Sequence, residues 1–422
     1  MASEGLQFES KPVRKATLPF FYTAPLALVL MGGLLSVWGI RALATPWSNY
    51  TLALTHVFTL GFLTMSCVGL VYLLLGVLGS RPTVPVWISH SVYWLLLAGA
   101  AGLIWGTAQA RVEPVSFAIS SVGGMGVLFL WHASRALRRA EVQGPTRRGL
   151  ALALWGFFGL AFLGIWIAHG HAGMRFPGPR GLWTQAHALV GLLAWVGALL
   201  IAFSSEIWPR LQGGRPLSSL ALAWLTRLIA LGLVSLLVLL FVAYFFLPFE
   251  AAASWEPWLI LFFSPMVLAV WVLHPAWALH SLAGLPEKSG LLFWRTGLGL
   301  GPVVILSGLV AWTLGEPRWV LFFGWLALYG WAGLLVCGAL VGAAGQWLRP
   351  SGAEPSSAGV VWLRGSFALH MAGLICGGVG IVSQSDAWAR AAGVLVFLHG
   401  LELALWLLKN LRIASQEQTR AI

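Results

Sequence analysis

The stretch LALTHVFTLGFLTMSCVGLVYLLLGVLG, Leu52 to Gly79, decides what kind of molecule this is. It is apolar for longer than the ~20 residues a helix needs to cross the hydrocarbon core of a bilayer. It nevertheless keeps one imidazole, His56, about a turn from its start, and besides the thiol of Cys67 nothing else in it titrates near neutral pH. Runs of the same kind recur from Leu18 to Leu408. Apolar residues make up 59% of the 422 and charged residues 9%, where a soluble domain carries about a quarter charged. The chain therefore reads as an all-α polytopic membrane protein.

Breaks at Pro, Gly and charged residues divide it into twelve helices. They fall at roughly 18–42, 51–78, 86–107, 115–137, 149–169, 182–205, 219–247, 257–281, 291–313, 319–347, 359–383 and 387–409. Residues 1–17 and 411–422 are expected to be polar tails on the same side of the membrane. The N-terminus, MASEGLQFESKPVRK, has no small-residue cleavage site after the first apolar run, so that span is expected to be retained. The net charge of +12 invites a nucleic-acid reading, but its placement argues for insertion instead. Of the 25 basic residues all but Arg41, Arg111, Arg175, Arg180, Arg318 and Arg390 fall in the termini and alternate loops of one side. By the positive-inside rule both termini are cytoplasmic. The lipid bilayer, not nucleic acid, is the expected partner.

The three cysteines, Cys67, Cys337 and Cys376, lie singly inside apolar runs, which supports neither a disulfide framework nor a thiolate zinc site. No Walker loop, dinucleotide glycine signature, zinc-protease motif or serine nucleophile elbow is present. The 25 tryptophans, many near helix ends, fit an interfacial aromatic belt.

An internal repeat is visible in helices 2, 6 and 10. They read THVFTLGFLTMSCVGLVYLLLG, AHALVGLLAWVGALLIAFSSEIWPRL and LYGWAGLLVCGALVGAAGQWLRP. Each opens on an imidazole or aromatic group, His56, His187 or Tyr329, taken to be on its outer turn, and continues with small residues. A period of four helices implies three pseudo-threefold units, about 18–140, 148–285 and 290–410. Gly61, Gly69, Gly191, Gly197, Gly333 and Gly338 are read first as packing residues, the ordinary means by which membrane helices approach one another.

These motifs and the three-by-four layout resemble the haem-copper oxidase subunit I superfamily, and within it the small, divergent NnrS-like proteins associated with haem, copper and nitric oxide. The resemblance implies haem b, with copper as a further cofactor, in a bacterial cytoplasmic membrane. It places His56 at the helix-2 haem ligand and His187 at the helix-6 copper ligand. It also marks departures. Helix 7 has no histidine pair, and Tyr329 and Gly330 stand where an oxidase has two haem-binding histidines. Oxygen reduction by the oxidase mechanism is therefore not implied.

Other candidates were weighed against plainer roles. His370, in SFALHMAGLICGG, is an alternative axial ligand or a helix–helix hydrogen bond. His169 and His171 form H-x-H, which with His187 offers copper or zinc ligands, or is simply a solvated helix exit. Arg175 and Arg180 are candidates for haem propionates or ordinary loop residues. His399 and Glu402, three apart on one helix face, suit a proton or ion path, or a buried couple that satisfies itself, the reading preferred here. The expected function is a haem-binding membrane protein in redox, nitric oxide or metal-stress chemistry, with an electron-donor or oxidase-type partner subunit. The alternatives are a transporter or metal carrier, and a degenerate assembly subunit.

Overall fold

The computed structural model describes residues 11–420 except 78–83, 141–143, 175, 177, 213–214, 256–257, 286–289 and 348–356. Among the described residues there is no strand, and twelve helices are long and apolar enough to span a bilayer. They are α1 (Val13–Leu43), α2 (Asn49–Gly76), α3 (Val86–Gln109), α4 (Val112–Arg139), α5 (Gly144–His171) and α6 (Arg180–Ser205). The second half comprises α7 (Ser219–Phe245), α8 (Leu259–Ser281), α9 (Leu291–Leu314), α10 (Pro317–Ala343), α11 (Gly359–Ser383) and α12 (Asp386–Asn410). The chain is an integral membrane protein. The ends lie within a few residues of expectation where capping signals were readable. Ser48 accepts from the Thr51 amide and Ser218 from the Ala221 amide, satisfying donors that a helix start leaves free. The tails are shorter than expected, because helix already begins at Lys11 and the last helix continues to Arg420.

Burial sets α2, α6 and α10 apart. Their most apolar windows are 83, 83 and 67% buried, against half or less for the other nine spans. These three pack on one another as a central trio, and the remaining helices surround them. Trp94, Trp131, Trp155, Trp224 and Phe241 on the outer helices expose their rings, as a lipid-facing surface requires.

Each central helix also departs from α-geometry. π-helical turns run over Val57–Thr64 in α2, Val190–Gly197 in α6 and Leu326–Ala332 in α10, with a further one at Leu268–Leu273 in α8. A π-turn inserts one residue into the helix and re-aims the side chains around it. The three central helices thus share a π-turn, which α8 has as well, and their register differs from the expected one. His56 and His187 each stand seven residues after the start of their span, whereas Tyr329 stands twelve after Pro317, inside the π segment. Tyr329 is therefore more than a turn deeper than the two histidines, and Gly324 occupies the matching position in α10.

The ring closes where α12 meets α1. Gly39 adopts a positive φ of 57°, ending the regular part of α1. Asp386 accepts from the freed Ile40 amide at 2.9 Å, and Arg390 donates to the Ser36 and Val37 carbonyls and to Asp386. Arg390, counted from sequence only as loop charge, and Asp386 thus cap a neighbouring helix.

The glycines pack as anticipated. Gly61 faces Ala27, Gly69 faces Phe21, Gly191 faces Leu160, Gly197 faces Val270, and Gly338 lies against Trp294. At Gly156 in α5 an added Cβ would collide with the backbone of Ala194 in α6. Gly156→Val is expected to force α5 and α6 apart and destabilise the fold by about 1–3 kcal/mol, the usual cost of overpacking. Thermal unfolding in detergent, compared with wild type, checks this.

Candidate functional site

A cavity of about 1090 Å³ lies beside the starts of α2 and α6 and extends toward α10. This is slightly above the ~300–1,000 Å³ typical of ligand pockets. Its wall is mostly apolar, with Phe58, Leu63, Phe157, Trp195 and Trp325 among the lining groups. Into this wall are set His56, His171, Arg180, His187 and Tyr329. Five of the candidate residues named from sequence therefore meet at one space.

The hydrogen bonds fix the protonation of two of the imidazoles. His56 Nδ1 is 2.7 Å from the Leu52 carbonyl, and His187 Nδ1 is 3.1 Å from the Leu160 carbonyl of α5. A carbonyl only accepts, so in both rings Nδ1 carries the proton and Nε2 holds the lone pair. Neither Nε2 has a hydrogen-bond partner among the described residues. The π-turn of α2 begins at the residue after His56. In α5, Gly164 makes room for the other ring: a Cβ there would stand 2.7 Å from His187 Cε1.

Arg180 supplies the charge. Its guanidinium lies 5.0 Å from the centre of the Trp47 ring and 5.4 Å from that of Phe176, and it makes no ion pair or hydrogen bond among the described residues. Stacking on aromatic faces holds such a cation without neutralising it. The cavity thus joins two imidazole lone pairs to a cation that has no counter-ion among the described residues.

The remaining candidates lie elsewhere. His169 donates to the Ile165 carbonyl and does not line the cavity. Two residues apart on a helix point to nearly opposite faces, so His169 and His171 do not act as one chelate with His187. Arg175 lies outside the described residues. His370 and His399 are buried among α10, α11 and α12 and do not line the cavity, with Tyr329 standing between His370 and that space.

There they form a chain of hydrogen bonds whose direction follows from its ends. His370 Nε2 donates to the Tyr329 carbonyl at 2.9 Å, which leaves its Nδ1 as acceptor. His399 Nε2 therefore donates to His370 Nδ1 at 3.1 Å, and the Ser366 hydroxyl donates to His399 Nδ1 at 3.1 Å. Cys337 Sγ stands 3.6 Å from His399 Nε2. The Tyr329 ring lies flat on His370, with centroids 4.2 Å apart and planes 3° from parallel, and Trp325 stacks on its other face while donating to the Leu374 carbonyl. Gly373 and Gly377 give these rings room.

Both nitrogens of His370 are engaged, so in this arrangement it has no lone pair to offer a haem iron. His399 does not pair with Glu402 either; its partners are Ser366, His370 and Cys337. The Glu402 carboxyl oxygen Oε2 is buried without a hydrogen-bond partner, while its backbone carbonyl accepts from Trp362. Cys337 and Ser366 were missed from sequence as members of a site. Each is an ordinary small residue in an apolar helix, and only the packing of three helices joins them to the histidines. His274 is also buried and bonded to Ser204 at 2.7 Å.

No protein-family model matches the chain, and no curated protein matches it. What the site can do is therefore argued from its own chemistry.

Proposed function

We propose that this protein binds haem in the cavity between α2, α5 and α6, with His56 and His187 as its imidazole ligands and Arg180 as partner to a propionate. The observation that carries the reading is the pair of rings whose Nδ1–H groups are held by carbonyls while their Nε2 lone pairs are left for the same apolar space. That is how a metal-ligating histidine is set in its tautomer and orientation. The apolar wall suits a flat macrocycle, and the uncompensated Arg180 suits a carboxylate, for which Arg offers a bidentate fork.

A bound haem would supply one-electron exchange, and a coordination position for a small gas molecule only where one of the two imidazoles gave way. The chain's own residues bind, orient and exclude water: Leu52 and Leu160 hold the rings through their carbonyls, and Gly164 admits His187. The absence of histidine from α7 argues for electron transfer or nitric oxide handling rather than an oxidase-type copper centre. The charge asymmetry of the loops supports placing this end of the bundle on the outer side of a bacterial cytoplasmic membrane, with both termini cytoplasmic.

Expression of the full chain under haem-replete conditions tests the proposal: the purified protein should show a Soret band, and a colourless preparation would remove the reading. Gly164→Ala is a quieter test. The new methyl crowds the His187 ring, so haem should be retained more weakly while helix content stays at the wild-type level, as absorbance and circular dichroism of one sample would show.

A further inference from the structure

Cys337, His370 and His399 come from three different helices, α10, α11 and α12, and each is 0% exposed. The sulfur and one ring nitrogen from each histidine all lie within 4.8 Å of one another. We propose that these three side chains form a second, fully buried site for a single soft monovalent metal ion, Cu(I), separate from the outer cavity.

Two of the three spacings are close to those of ligands around one ion, and the third, between His370 and Cys337, lies within 4.8 Å and must close up on binding. Metal–sulfur bonds of about 2.3 Å and metal–nitrogen bonds of about 2.0–2.1 Å place tetrahedral nitrogens about 3.3 Å apart, and nitrogen and sulfur about 3.6 Å apart. The observed separations are 3.1 Å between His370 Nδ1 and His399 Nε2, and 3.6 Å between His399 Nε2 and Cys337 Sγ. Small shifts of the rings would admit the ion.

The outer partners of the two rings are already in place. His370 keeps Nε2–H on the Tyr329 carbonyl and presents Nδ1 inward, the orientation a ligand needs. His399 must free Nε2. Its proton moves to Nδ1, where the Ser366 oxygen, at 3.1 Å, changes from donor to acceptor. The Cys337 thiol gives up its proton to solvent as the sulfur–metal bond forms. One S–H bond is thereby exchanged for one metal–sulfur bond, with no change of oxidation state.

Charge selects the ion. A thiolate and two neutral imidazoles carry one negative charge, and no carboxylate belongs to the cluster. Cu(I) leaves the buried site neutral, whereas Zn²⁺ or Cu²⁺ leaves a net positive charge, which costs several kcal/mol in a low-dielectric interior. Thiolate softness favours Cu(I) as well.

The test is anaerobic titration of the purified, metal-free full chain with Cu(I) buffered by a chromogenic chelator, with excess Zn²⁺ as competitor. Stoichiometric Cu(I) binding is expected, with thiolate-to-Cu(I) absorption in the near ultraviolet and no displacement by Zn²⁺. Cys337→Ala and His399→Gln should each weaken binding by at least about a hundredfold, and Ser366→Ala by about ten- to a hundredfold as an outer partner. His56→Ala/His187→Ala should leave Cu(I) binding unchanged, which also keeps this result distinct from the fate of the haem reading. Helicity and monodispersity identify variants that fold, and Cys337→Ser stands in if Cys337→Ala does not. Absent Cu(I) binding in wild type, unchanged affinity in the folded Cys337 and His399 variants, or loss of binding in the outer double variant would each overturn the proposal.

Discussion

Replacing either His56 or His187 by alanine is expected to lower haem retention by at least about ten- to a hundredfold, the range seen even when an outer partner of a ligating histidine is lost. The two rings are expected to contribute for the same reason. Each is held at Nδ1 by a carbonyl, so its Nε2 is pre-oriented and loses little rotamer freedom on binding. His169→Ala is the matched control, since that ring has the same Nδ1 bond to its own helix but lies off the cavity wall. Arg180→Gln should act more mildly. Loss of a charge-assisted hydrogen bond of about 1.5–3 kcal/mol corresponds to about a ten- to a hundredfold weaker haem complex. Haem content per chain, read from the pyridine haemochrome spectrum of each variant, separates these outcomes.

The second large effect concerns the buried chain Ser366–His399–His370–Tyr329. In the metal-free protein, His399→Leu removes its central link. The Ser366 hydroxyl and the His370 Nδ1 lone pair are then left in an apolar interior. At about 1–3 kcal/mol for each orphaned group, the fold should lose on the order of 4 kcal/mol. The triple change Ser366→Ala/His370→Leu/His399→Leu removes the orphans together and should restore much of that loss, because a polar network replaced as a whole is far less costly than one left half-made. Thermal unfolding of the two variants in the same detergent checks the sign: a triple variant less stable than His399→Leu would contradict the hydrogen-bond assignment. Non-additivity of this kind is the mark of residues that share partners.

The architecture was legible in the sequence where one local signal was enough. Twelve apolar runs of membrane length declare twelve spans, and a lone imidazole in such a run is expensive unless it has a task, which is why His56 and His187 stood out. The relation of α10 to α2 and α6 was read with the wrong register. Tyr329 was aligned with the histidines because small residues follow all three, but a π-turn leaves no mark in composition, and the residue lies deeper. Arg390 was counted as loop charge and Asp386 was passed over, since nothing near them in sequence reveals that the end of α1 needs donors and acceptors. The His399–Glu402 couple had the right spacing on one face, yet the actual partners of His399 come from α10 and α11. Spacing along one helix could not show contacts between three.

The central claim, that the cavity beside α2 and α6 is a haem site, meets its most direct test in one absorption measurement. The full-length protein and its His56→Ala/His187→Ala variant would be purified side by side from haem-replete cells. A stoichiometric Soret band in the wild type, lost in the double variant at equal helicity, is the predicted result. A colourless wild type, or equal haem in both proteins, would contradict it.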